Sequence, residues 1–71
     1  MPTLYTKPGC VQCDMLKKRM TAKGIAFDVV DVSTDQAAFD HIVSLGYRSV
    51  PVLISEAVQF SGFRPDLLDT L

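Results

Sequence analysis

Two cysteines, Cys10 and Cys13, stand with only Val11 and Gln12 between them at the point where the side-chain period of the chain changes. That junction constrains the fold more than any other feature. Before it, Thr3-Leu4-Tyr5-Thr6 is β-branched and aromatic and Lys7-Pro8-Gly9 stops it, which predicts a short strand and a turn. After it, Cys13, Leu16 and Met20 fall at i, i+3 and i+7, with Val11 and Met15 alongside and Lys17, Lys18 and Lys23 at other positions. This spacing predicts an amphipathic helix from Cys10 to Lys23, closed by Gly24. A bridge between the two cysteines closes so short a loop that it has little entropic value as a staple. It suits a bond that opens and closes. Residues three apart at a helix start lie about 5 Å apart between Cα atoms, inside the roughly 4.4–6.8 Å that a disulfide spans.

The rest of the chain alternates in the same way. Ile25 to Val32, rich in Val, Ile and Phe, predicts a buried strand. Ser33-Thr34-Asp35 offers N-caps for a second helix from about Asp35 to Leu45, with Phe39, Ile42 and Val43 as its inner face, Leu45 near its end and Gly46 as its stop. Val50 to Ile54 predicts a strand with proline at its entry, Ser55-Glu56 a hairpin turn, and Ala57 to Phe60 a shorter strand. Pro65 opens a last helix to Leu71. The order β-α-β-α-β-β-α makes the first two strands parallel and adds an antiparallel hairpin, an α/β chain with a four-stranded mixed sheet.

Size and charge narrow the function. The 71 residues, 48% of them hydrophobic, suffice for one core and one domain spanning residues 1–71. A net charge of −1 gives no reason to expect nucleic acid or an anionic membrane as partner. No apolar run approaches the ~18 residues of a membrane span. Met1 leads straight into a strand-like segment, so the expected location is cytoplasmic.

A Cys-x-x-Cys that follows a strand and opens a helix reads as a redox pair in such a chain. Cys10, at the helix N-terminus, meets unpaired N–H groups and the positive end of the dipole, which favour a thiolate. Lys7 adds a nearby cation, whereas Asp14 opposes it. Cys10 is therefore expected to be the attacking thiol, and Cys13, in line with Leu16 and Met20, the buried resolving thiol. Metal binding is the rival. Zinc wants four ligands where the chain offers two cysteines and His41, itself expected to be solvated, but two thiolates suffice for Cu(I). A copper metallochaperone of similar size also carries Cys-x-x-Cys at its first helix. It usually has methionine where this chain has Pro8, and it ends in a strand rather than a helix.

Three stretches together, Tyr5-Thr6-Lys7-Pro8-Gly9-Cys10-Val11-Gln12-Cys13, Ser49-Val50-Pro51 and Ser61-Gly62-Phe63-Arg64-Pro65-Asp66, resemble the NrdH-redoxins over essentially the whole chain. The resemblance implies a thioredoxin/glutaredoxin-like fold and thiol–disulfide oxidoreductase activity, in a redox protein rather than a metabolic enzyme. It implies reduction by thioredoxin reductase, with NADPH used indirectly and no bound cofactor or metal. It further implies electron supply to the large subunit of a class Ib ribonucleotide reductase, and a monomer is expected. In that fold the proline matching Pro51 is cis and faces the cysteine turn, so the Val50 backbone would offer its N–H and C=O to an extended target segment.

The last stretch bears on the choice of reductant. A glutathione-binding glutaredoxin, the second reading within the same chemistry, typically has Gly-Gly and an acidic pair here and would bind the tripeptide near Lys7, Val50 and Gly62. In this chain Phe63 adds bulk and Arg64 replaces an acidic residue, which predicts poor glutathione binding. Ser61, Gly62, Phe63 and Arg64 are then expected to face the partner. Relatives usually carry tryptophan where this chain has Phe60, which keeps aromatic area for docking and lacks the indole N–H; the alternative for Phe60 and Phe63 is a place in the core. Lys17, Lys18 and Arg19 are expected to form a solvated helix face.

Overall fold

Four strands in the order β2-β1-β3-β4 form one sheet in the computed structural model, which describes residues 1–69. They are β1 (Thr3–Thr6), β2 (Asp28–Asp31), β3 (Val52–Ile54) and β4 (Gln59–Ser61), joined with helices α1 (Val11–Ala22), α2 (Gln36–Ser44) and α3 (Pro65–Leu68). β1 pairs β2 in parallel, and β3 runs antiparallel to both β1 and β4. This is the element order and mixed sheet that the periodicity predicts, in a thioredoxin-like fold.

Register decides which side chains meet. Leu4 lies opposite both Val29 and Leu53, and Leu53 opposite Phe60, so these four point to one face of the sheet. There Leu4, Leu53 and Phe60 pack with Leu16 and Met20 of α1 and Leu68 of α3, with Ile25, Phe27, Val58, Phe63 and Leu67 partly buried around them. The same register sets Tyr5 opposite Val52 and Val52 opposite Ser61. The end of β1, the start of β3 and the end of β4 therefore share one edge of the molecule. The cysteine turn, Val50-Pro51 and the loop after Ser61 all leave from that edge.

Several predicted boundaries move, each for a local reason. β2 starts at Asp28 rather than Ile25 because the end of α1 consumes the intervening residues. Ile25 N–H donates to Met20 C=O at 2.9 Å and Gly24 N–H to Thr21 C=O at 3.0 Å, a Schellman closure with Gly24 at φ +72°. β3 starts after Pro51, which has no N–H to give a ladder. The hairpin turn takes four residues rather than two. Ser55 N–H and Oγ both donate to Val58 C=O, at 3.0 and 2.9 Å, and the Val58 N–H returns to Ser55 Oγ at 3.0 Å, so β4 begins at Gln59 rather than Ala57. α3 closes on Asp69, and its predicted extension to Leu71 runs outside the described residues.

The helix faces are narrower than the apolar spacing predicts. On α2 only Ile42 is buried, while Phe39, Val43 and, at its C-cap, Leu45 are exposed. His41 is exposed and its ring stands 6.2 Å from that of Tyr5. On α1, Cys13, Leu16 and Met20 are buried as expected, but Val11 is 72% and Met15 41% exposed. At 100° per residue both lie across the helix from the buried line.

Candidate active site

α1 is capped by the residue whose chemistry matters. Cys10 is its N-cap, in an extended conformation at φ −89° and ψ 105°, and its sulfur accepts the Cys13 N–H at 3.1 Å. Its carbonyl begins the helical ladder, accepting the Asp14 N–H at 3.2 Å. The two sulfurs form a disulfide with Cα atoms 5.2 Å apart, close to the separation expected from helix geometry. Cys10 is half-buried and Cys13 fully buried, so one sulfur of the pair is open to solvent and the other faces the core.

Two distant segments close around this turn. The Val50–Pro51 peptide is cis and Pro51 is buried. The Pro51 carbonyl accepts the Gly62 N–H at 2.9 Å. Gly62, at φ +79°, in turn faces Gln12, whose Oε1 is 3.8 Å from where a Cβ on that glycine would sit. The final loop is thus hydrogen-bonded to the cis-proline and approaches the cysteine turn at Gln12.

Beyond Gly62, Arg64 donates through Nε and Nη2 to the Asp66 carboxylate at 3.3 and 3.2 Å. This bond raises the Arg64 guanidinium above its ordinary range and holds the Asp66 carboxyl below its own. The positive charge at position 64 is therefore answered within the motif. Phe63 is half-buried and packs on the core.

The Glutaredoxin family model matches residues 3–57. The glutaredoxin-like protein NrdH of Salmonella typhimurium is 38% identical over 69 residues, which is 97% of this chain and 85% of the relative. The chain belongs to the glutaredoxin family, among its NrdH-like members. The gene 56 protein of Mycobacterium phage L5 is 42% identical over 71 residues, covering 97% of this chain and 69% of the relative. The solved NrdH-redoxin of Escherichia coli, described by a thioredoxin-like activity profile, superposes with a TM-score of 0.95 at 36% identity, covering 99% of this chain and 92% of its own. The chain is thus an NrdH glutaredoxin-like redox protein with a Cys10–Cys13 disulfide.

Within this NrdH-like chain the predicted site residues separate into two groups. Cys10, Cys13, Pro51 and Gly62 are brought together, and Val50 stands beside them with neither its N–H nor its C=O in a backbone hydrogen bond among the described residues. Lys7 is exposed before the turn, its carbonyl accepting the Thr6 hydroxyl at 3.5 Å. Ser61 and Arg64 are exposed at the rim. Phe60 is a correction: it is 5% exposed and packed inside the core, because the strand pleat turns it inward while its neighbours Gln59 and Ser61 face out. Its aromatic area supports packing and offers a partner no docking surface. Sequence reasoning gave no task to Gln12. The available signal was its place between the two cysteines.

Proposed function

We propose that the chain is a cytoplasmic dithiol–disulfide electron carrier, reduced by thioredoxin reductase with NADPH as the ultimate donor. It delivers electrons to the large subunit of a class Ib ribonucleotide reductase, with no cofactor beyond its own cysteine pair. One observation carries the chemistry: a half-buried Cys10 sulfur sits at the N-terminus of α1 and accepts an N–H from Cys13. A thiolate at that position would be stabilised by the hydrogen bond and the helix end together.

The reaction follows from the two exposures. The Cys10 thiolate attacks one sulfur of a target disulfide, forming a mixed disulfide and releasing the other target sulfur as a thiolate that takes a proton. Cys13 then loses its proton and attacks the Cys10 sulfur. The Cys10–Cys13 bond forms and the second target thiol leaves. The target gains two electrons and two protons; the carrier loses the two electrons and the Cys13 proton, and solvent supplies the other proton. An extended target segment would lie along the free Val50 backbone, with the sulfurs next to it.

The closed final loop supports a protein reductase over glutathione. The Gly62 N–H is engaged by Pro51, and Arg64 is paired with Asp66, so neither is free to receive a tripeptide's carboxylates. The E. coli relative's thioredoxin-like profile points the same way. The test is NADPH oxidation by the oxidised protein with thioredoxin reductase alone, against glutathione plus glutathione reductase, with Cys10→Ser and Cys13→Ser as controls. Turnover with the first system alone is expected. Turnover with glutathione alone would overturn the assignment of the reductant.

A further inference from the structure

Gln12 sits between the two cysteines, and the exchange chemistry gives it no part. Its side chain leaves the first turn of α1 toward Gly62, with Oε1 3.8 Å from where a Cβ on that glycine would sit, and Gly62 is tied to Pro51 by a 2.9 Å hydrogen bond. Among the described residues neither end of its carboxamide has a hydrogen-bond partner within the protein, and the residue is exposed. A carboxamide carries a donor and an acceptor set matching that of a peptide group. It is therefore an unused peptide-like group between the two cysteines, on the side of Gly62, which is hydrogen-bonded to Pro51 next to the free Val50 backbone.

We infer that Gln12 is a specificity-determining residue. Its carboxamide hydrogen-bonds the main chain of a target segment beside the target's cysteine, so the carrier favours disulfides borne on polypeptide over small disulfides that lack a backbone. The inference rests on the dithiol-carrier reading and adds to it a reason for substrate class. Val50 and Gln12 would then hold the target backbone from two sides of its sulfur. Only the protein disulfide can use both.

The test needs no reductase. The pre-reduced protein is mixed with insulin or with bis(2-hydroxyethyl) disulfide, quenched in acid, and its remaining thiols are alkylated and counted. Gln12→Met keeps the length of the side chain while removing its polar ends. It is expected to slow oxidation by insulin about fivefold more than oxidation by the small disulfide, the effect of one hydrogen bond of ordinary strength. Gln12→Glu keeps acceptor oxygens and is expected to lose less on insulin. Equal slowing of both reactions, or a loss that tracks a changed midpoint potential in a dithiothreitol redox buffer, would overturn the inference, as would no difference at all. A wild-type protein oxidised by neither disulfide would overturn the carrier reading itself. A wrong choice of reductase leaves this assay unaffected.

Discussion

Replacing Cys10 by alanine and by serine separates the helix-capping role of this position from its redox role. Both variants lose the disulfide and leave Cys13 as a thiol. They differ in whether position 10 can accept the Cys13 N–H, as the native sulfur does at 3.1 Å. Serine is among the preferred N-caps and alanine supplies no acceptor, a difference of typically about 1 kcal/mol. For a chain of 71 residues, an unfolding entropy near 2.1 cal/mol/K per residue gives about 150 cal/mol/K, so the alanine variant should melt about 7 °C below the serine variant. Thermal denaturation followed by far-UV circular dichroism in reducing buffer measures this directly. Equal melting of the two variants would refute the assignment of the sulfur as the cap of α1.

Phe60→Ala should cost about 3–5 kcal/mol through the cavity it leaves between Leu53 and the helices, read as a lower urea midpoint. Val11→Thr, one residue from the nucleophile but 72% exposed, should stay within about 0.5 kcal/mol by the same measurement. Asp69 accepts from Lys23 Nζ at 2.8 Å and lies 3.8 Å from Arg19, and the Lys23 bond first, then its charge, holds the Asp69 carboxyl below the ordinary range. That stabilisation is present above the unfolded carboxyl value and is lost as pH falls through the folded one. Asp69→Asn should accordingly lower the melting temperature at neutral pH and flatten its fall in acid, and added salt should shrink the difference.

The sequence made the path of the backbone legible because its two periods and their stop signals are local. Leu16 and Met20 on one helical line, Gly24 and Gly46 after two helices, and Pro65 at the head of the third each act within a few residues. Side-chain exposure was less legible because it depends on what lies opposite. The spacing of Phe39, Ile42 and Val43 is that of a buried face, yet only Ile42 meets enough sheet to be covered. Phe60 shows the converse. As a motif it stands beside the Ser61–Asp66 stretch and reads as part of a docking rim, but pairing with Leu53 turns it inward. Gln12 was silent in sequence because its neighbour, Gly62, is fifty positions away.

That distance shows how so small a chain assembles a site from three separate motifs. None of the motifs binds another strongly. The Pro51–Gly62 hydrogen bond and the Gln12–Gly62 approach are single interactions, each worth on the order of 1 kcal/mol at most. The sheet register performs the assembly, by setting Tyr5, Val52 and Ser61 side by side so that all three segments leave from one edge. Register in turn is held by the face where Leu4, Leu53 and Phe60 align, since a slip of one residue would turn Phe60 to solvent and Ser61 into the core. A core residue one position before Ser61 is therefore also a determinant of site geometry. Loosening it should disturb the alignment of Gly62 with Pro51 and Gln12 before it disturbs the disulfide, which is set by α1 alone. A conservative Phe60→Leu variant should consequently lose more rate against insulin than against bis(2-hydroxyethyl) disulfide. Uniform loss on both would place the effect in the cysteine turn instead.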